Sequence, residues 1–172
     1  SLLDRLLAAG PARLTPELLE SLLALPDRTL IAEIVDACAA ADPAAALESA
    51  GTLLARGVGV EQVLSTLAER FRDLLVLNVC GEGTDLVELS AEAREQAAAQ
   101  SRRFDPAGLT HMIALCESVA RTAKGSAFPR ALCDALVVRL AMTDKIADAT
   151  AVALGSGAAS SASAVAPSIR TS

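Results

Sequence analysis

The sequence is poor in aromatic residues, which make up only 2% of its 172 positions, as three Phe with no Trp or Tyr. Surfaces that stack nucleic-acid bases depend on such side chains, and β-rich folds also favour them. Basic residues are also few, because 15 Lys and Arg stand against 21 Asp and Glu and leave a net charge of −6. Clustered Lys and Arg provide most of the affinity for nucleic acid. We therefore expect neither an all-β fold nor direct contact with nucleic acid.

Long apolar runs and closely spaced cysteines are also missing. The longest uncharged stretch, residues 149–169, contains serine, glycine and proline, so we predict no membrane span. Asp4 and Arg5 interrupt the first apolar run, so we predict no signal peptide. The four cysteines are separated by 42, 36 and 17 positions and form no CxxC motif. We expect reduced thiols, packed like small apolar side chains, in a cytoplasmic protein without a metal site.

Alanine and leucine dominate what is present, with 37 Ala and 27 Leu. Both are strong helix formers, and apolar residues recur at steps of three and four. A polar residue followed by proline marks helix starts at Asp42 and Asp105, and Gly81 marks a helix end. The helices are predicted over residues 16–25, 28–41, 43–56, 61–80, 91–102, 106–124 and from 129 onward. We predict an all-α fold, an antiparallel bundle of five to six helices, with a disordered C-terminal tail.

No group of residues in the sequence indicates a catalytic or cofactor site. A GxxxxGK[ST] phosphate loop is missing, and the GxG pairs at Gly57 and Gly81 lie between predicted helices rather than after strands. The single histidine, His111, has no carboxylate three or four positions away to orient it. We therefore expect no catalytic residue, no cofactor and no small-molecule substrate, and a helical enzyme that uses His111 is our last alternative.

Two charged residues lie inside apolar helical segments. Arg72 is next to Phe71 and Leu74, and Asp134 lies in the last apolar helix. Charges persist inside such segments mainly when they are paired. We predict a structural ion pair between Arg72 and Asp134 that ties two helices together.

Three segments, in order, resemble the gamma/tau subunit of bacterial DNA polymerase III. The first is residues 1–25, with the sequence SLLDRLLAAG followed by LTPE and LLAL. The second is residues 44–75, ending in the motif residues Phe71, Arg72, Asp73, Leu74 and Leu75. The third is residues 104–136, with Pro129 and Arg130 before Asp134, where the family usually has Glu.

The resemblance covers residues 1–145 and implies a function. It implies a remnant of the ATPase lid over residues 1–25, a helical collar over 26–154 and a flexible Ala- and Ser-rich linker over 155–172. In this family the collar joins gamma/tau copies and delta-type subunits into the pentameric clamp loader, which places sliding clamps on DNA during replication. The family's ATPase motor is not in this sequence, which starts without Met and suggests a fragment, so we expect no enzyme activity. The alternative is an unrelated α-helical adaptor that binds a partner helix.

Overall fold

The computed structural model describes residues 27–143, and all regular secondary structure in this part of the chain is α-helix. The predicted helix at 16–25, the lid remnant at 1–25 and the tail at 155–172 lie outside the described residues. The helices are α1 (Arg28–Ala39), α2 (Pro43–Ala55), α3 (Val60–Cys80), α4 (Ala91–Ser101), α5 (Pro106–Ala123) and α6 (Pro129–Ala141). The all-α prediction is confirmed, and the predicted bounds of α1 to α5 agree with the structure to within two residues.

Helix starts follow the capping residues in the sequence. The carboxylates of Asp42 and Asp105 accept hydrogen bonds from backbone N–H groups of the first turns of α2 and α5, and Ser90 caps α4 in the same way. Proline occupies a first-turn position of α2, α5 and α6. Backbone N–H groups in the first turn make no hydrogen bond within the helix, so the N–H that proline lacks is not needed there. Asp27 caps α1 by accepting from Thr29 N–H at 2.9 Å.

The first two helices end in the same hydrogen-bond pattern with different residues. After α1, Asp42 N–H donates to Ala37 O at 2.9 Å, and Ala41 takes a left-handed φ of 53°. After α2, Val58 N–H donates to Leu53 O at 3.3 Å, and Gly57 has a φ of 88°. Both are Schellman ends, which normally place glycine at the left-handed residue. The first turn is therefore strained at Ala41, and the second is not.

α3 lies at the centre of the bundle. Its residues Leu64, Leu67, Phe71 and Leu74 are fully buried. Of the described helix pairs, α3 and α5 pack most extensively, and α1 packs on α2 and α2 on α6. The rings of Phe71 and Phe104 form a T-shaped pair at a centroid distance of 6.2 Å, which joins α3 to the start of α5. The core is thus built mainly from leucine and alanine around one aromatic pair.

Three of the four thiols are core residues. Cys38, Cys116 and Cys133 are buried, and Cys80 is exposed at the end of α3. Burial raises the pKa of Cys38 and of Cys116 to about 12 and that of Cys133 to about 11, because a thiolate would lose its hydration. The described residues include no helix long and apolar enough to cross a bilayer.

Candidate protein–protein interface

The predicted motif residues divide between the core and the surface. Phe71 and Leu74 are fully buried, and Leu75 is half-buried against the same core. Pro129 begins α6, and the Arg130 side chain is 63% exposed. Phe71 and Leu74 therefore build the core of the domain, and an interface has to be sought among other side chains.

The predicted ion pair between Arg72 and Asp134 is wrong. Arg72 Nη1 lies 3.0 Å from Asp73 Oδ1 and donates to Leu86 O at 3.2 Å. The nearest cation to Asp134 is Arg130, one turn earlier on α6, with Nε 3.9 Å from Oδ2. Arg72 is on the α3 face next to the loop before α4, and its guanidinium reaches that loop rather than α6. Each charge thus pairs locally, at the surface.

A polar network that the sequence did not reveal ties α4 to two other helices. Gln100 is 4% exposed, its Oε1 accepts from Arg70 Nη2, and its Nε2 donates to Ala32 O at 3.2 Å. Burial lowers the pKa of Arg70, and the nearby carboxylates of Asp36 and Asp73 counteract this effect. One amide thus satisfies partners on α1 and α3, which helps to fix a helix that contributes few apolar side chains to the core.

The turn between α4 and α5 is fixed from both sides. Asn78 Nδ2 donates to Ser101 O at 2.8 Å and to Phe104 O at 3.1 Å, and Arg103 Nη1 lies 2.7 Å from Asp36 Oδ1. An asparagine near the end of an apolar helix is the only signal of this contact in the sequence. These bonds place the start of α5 beside the C-terminal half of α3.

The backbone of the loop between α3 and α4 is held by two guanidinium groups, because Arg72 binds the Leu86 carbonyl and Arg94 binds three others. Arg94 Nη1 donates to the carbonyls of Glu82 at 2.9 Å and Thr84 at 2.8 Å, and Nη2 donates to Val87 O at 2.6 Å. The side chain of Val87 is 2% exposed and anchors the loop to the core. Between these anchors, Leu86 is 62% exposed. The loop therefore presents a leucine to solvent on a fixed backbone.

Large exposed apolar side chains are rare in the described part of the chain. They are Val79 at 65%, Leu86 at 62% and Phe128 at 75%. Val79 lies at the end of α3, just before the loop that carries Leu86. Phe128 directly precedes α6, and its backbone N–H donates to Ser126 Oγ at 3.0 Å. Phe128 is the most exposed of the three, and aromatic side chains are enriched in the buried centre of protein interfaces.

A cleft of about 540 Å³ opens between α1, α3 and α4. Its walls carry more carboxylates than cations: the carboxylates are Glu33, Asp36, Glu69, Asp73 and Glu88. Such a lining suits the apolar face of a partner helix poorly, because the carboxylates would lose hydration without gaining partners.

The single histidine takes no part in a cluster. His111 is exposed on α5, and among residues 27–143 no group of His, Cys, Asp and Glu side chains could hold a metal ion. The alternative of a helical enzyme that uses His111 stays a prediction.

The fold and these surfaces define an all-helical bundle domain. Residues 14–153 match the family described as DNA polymerase III subunits gamma and tau domain III. Relatives named DNA polymerase III subunit gamma/tau, from Mycobacterium bovis and Mycobacterium tuberculosis, are each 31% identical over 143 residues. Those alignments cover 81% of this chain and 25% of each relative.

The chain belongs to the family of domain III of the DNA polymerase III gamma and tau subunits. It spans about a quarter of the length of the relatives it matches. The alternative of an unrelated helical adaptor is therefore wrong.

Proposed function

We propose that this domain is the collar through which copies of gamma/tau associate with one another and with delta-type subunits. The resulting assembly is the pentameric clamp loader that places sliding clamps on DNA. In this role the domain works by binding, and the hydrolysis of ATP resides elsewhere in the complex. Its family membership supports the proposal, because domain III is a helical part of a replication subunit.

The observation that carries the proposal is the exposure of Val79, Leu86 and Phe128 on ordered backbone. Exposing such side chains leaves apolar area in water, at a cost of about 25 cal/mol per Å² relative to burial. Burying them against another subunit would recover that free energy. The net charge of −6 disfavours a nucleic acid as the partner.

The test is a direct measurement of assembly. The chain is mixed with the full-length gamma/tau and delta-type subunits of the same organism, and masses are measured by light scattering after size exclusion. We expect the chain to form complexes with these subunits and, in excess, to compete with full-length gamma/tau for assembly. A chain that stays monomeric at high concentration and leaves every clamp-loader subunit unbound would contradict the proposal.

A further inference from the structure

α4 contributes little apolar surface to the core. Its sequence, AEAREQAAAQS, contains no apolar side chain larger than alanine, unlike every other helix in the described part of the chain. Of its alanines, only Ala97 and Ala98 are buried. Because apolar burial stabilises in proportion to the area removed from water, two methyl groups hold this helix more weakly than leucines hold its neighbours. A helix of 11 residues is also marginal by itself in water.

The loop before α4 is joined to α4 by side chains of that helix. Arg94 donates to three backbone carbonyls of the loop at 2.9, 2.8 and 2.6 Å. Arg102, at the C-terminal end of α4, pairs with Glu82 at the start of the loop. These contacts connect parts of one segment, so they persist if that segment moves as a body. We name residues 82–103 the strap.

Some of the contacts that attach the strap to the other helices are exposed to water. Arg72 donates to Leu86 O at 3.2 Å, and Arg103 Nη1 lies 2.7 Å from Asp36 Oδ1. The side chains of this ion pair are 43% and 47% exposed. Exposed ion pairs contribute little to stability, because solvent competes for both charges. Most of the attachment therefore has to come from buried groups.

The buried attachments of the strap are few and mainly polar. Gln100 hydrogen-bonds to α1 and α3, and Asn78 donates to Ser101 O at 2.8 Å. Val87 is the only buried side chain of the strap that is apolar and larger than alanine. Water can satisfy hydrogen-bonding groups that separate, whereas leucines that separate lose their burial. Detaching the strap therefore costs less free energy than unfolding the core.

The two ends of the strap are suited to act as hinges. Gly81 ends α3 with a φ of 83°, which glycine adopts without strain, and Gly83 follows shortly after. A Cβ built on either glycine would meet nothing within 4 Å, so their backbone is not packed against a neighbour. Directly after the strap, Phe104 pairs with the ring of Phe71, and Asp105 caps α5. The chain is thus fixed to the bundle on both sides of the strap.

We propose that the strap opens from the bundle as one unit, about hinges at Gly81 and Phe104, while the other five described helices stay folded. Arg70 and Asn78, which both bond the strap, are eight residues apart on α3. Leu74 lies midway between them and therefore on the same face of the helix. Opening uncovers this part of α3, which the closed domain buries. The inference is independent of the collar function, and its failure would leave that function standing.

Amide hydrogen exchange of the whole chain, followed by NMR with urea added below the unfolding transition, tests the proposal. A detached α4 is too short to keep its helical hydrogen bonds, so its amides exchange whenever the strap opens. We expect Ala97 and Ala98 to be protected at least about tenfold less than Met112 and Cys116 on α5. Their exchange should also rise less steeply with urea, because opening exposes less surface than global unfolding does. Equal protection with equal urea dependence would overturn the proposal.

A core substitution outside the strap separates opening from global unfolding. Val137 on α6 is fully buried, and α6 packs on α2 and α5. Since the closed and open forms both keep α6 in place, Val137→Ala should raise exchange at Cys116 roughly tenfold or more and leave Ala97 unchanged. Circular dichroism confirms that the variant is folded, and the measurement on the unchanged chain stands without it. An equal rise at both amides would contradict local opening.

Two substitutions within the strap test its attachment. Gln100→Ala should raise exchange at Ala97 roughly tenfold or more, and the exposed Gln96 provides the control, since Gln96→Ala should leave it unchanged. Val87→Ala loosens the loop, and it should also raise exchange at Ala97, which lies on the helix, because loop and helix open together. If Val87→Ala leaves Ala97 unchanged, opening as one unit is overturned, and the same result for Gln100→Ala would remove the attachment on which the proposal is built.

Discussion

Replacing Gln100 with Ala should destabilise the domain more than its small size suggests. The change removes the acceptor of Arg70 and the donor to Ala32 O, both at the junction of α1, α3 and α4. A hydrogen bond to a charged group contributes roughly 1.5–3 kcal/mol and a neutral one about 1 kcal/mol. The carboxylates near Arg70 can recover part of this loss by accepting from its guanidinium. We expect a net loss of about 2–3 kcal/mol in the free energy of unfolding.

The assay is urea unfolding followed by far-UV circular dichroism, since the chain has no Trp or Tyr to report by fluorescence. Gln96→Ala is the matched control, because Gln96 is exposed on the same helix and should change stability by less than about 0.5 kcal/mol. A double-mutant cycle with Arg70→Ala should give a coupling energy of roughly 1–2 kcal/mol. Equal effects of the Gln96 and Gln100 substitutions would refute the reasoning.

Other positions give predictions of known sign. Ala41→Gly should stabilise the domain by roughly 0.5–1 kcal/mol, because glycine adopts the left-handed φ at this position without strain. Gly57→Ala should destabilise the domain by a similar amount for the same reason. Thermal unfolding measures both changes, and a change of stability in the same direction for the two variants would contradict this reasoning. Asp27→Ala should cost about 1 kcal/mol by removing the cap of α1, and Asp27→Asn should cost less. Partial burial acts to raise the pKa of Asp27, but hydrogen bonds from Thr29 N–H and Arg56 outweigh it, and the pKa is lowered. The ionised carboxylate therefore stabilises the fold above about pH 4, and this contribution is lost as the pH falls and Asp27 is protonated. The loss of stability caused by either substitution should accordingly become smaller when unfolding is measured below about pH 4. In a thiol-reagent assay of the native chain, only Cys80 should react rapidly, and fast reaction of a second thiol would contradict the buried placement of the others.

The helices were predictable because the forces that set their bounds act within a few residues. Asp42 and Asp105 cap the helices that follow them, and Gly81 ends α3, as their positions before proline or after an apolar run indicate. The end of α1 was predicted two residues late, since Ala40 and Ala41 have the composition of a helix but lie in a Schellman turn. Nothing local in two alanines marks that turn.

The surfaces were less predictable, because they depend on which distant residues the fold brings together. Phe71 and Leu74 stood out as motif residues and turned out to be core. Leu86 looked like any leucine between two predicted helices, and its position is set by Arg72 and Arg94, which bind the backbone of the loop. The Arg72 side chain illustrates the same limit, because its choice between Asp73 and Asp134 is set by which face of α3 it occupies.

The sequence by itself determined the all-α class, the position of most helix ends and membership of the gamma/tau family, since propensity, capping and ordered motifs are all encoded along the chain. Only the tertiary structure decided the partners of the charged side chains and the buried position of Gln100. The physical reason is distance: pairing requires atoms within a few ångströms. For residues far apart in the chain, that proximity arises only when the helices pack.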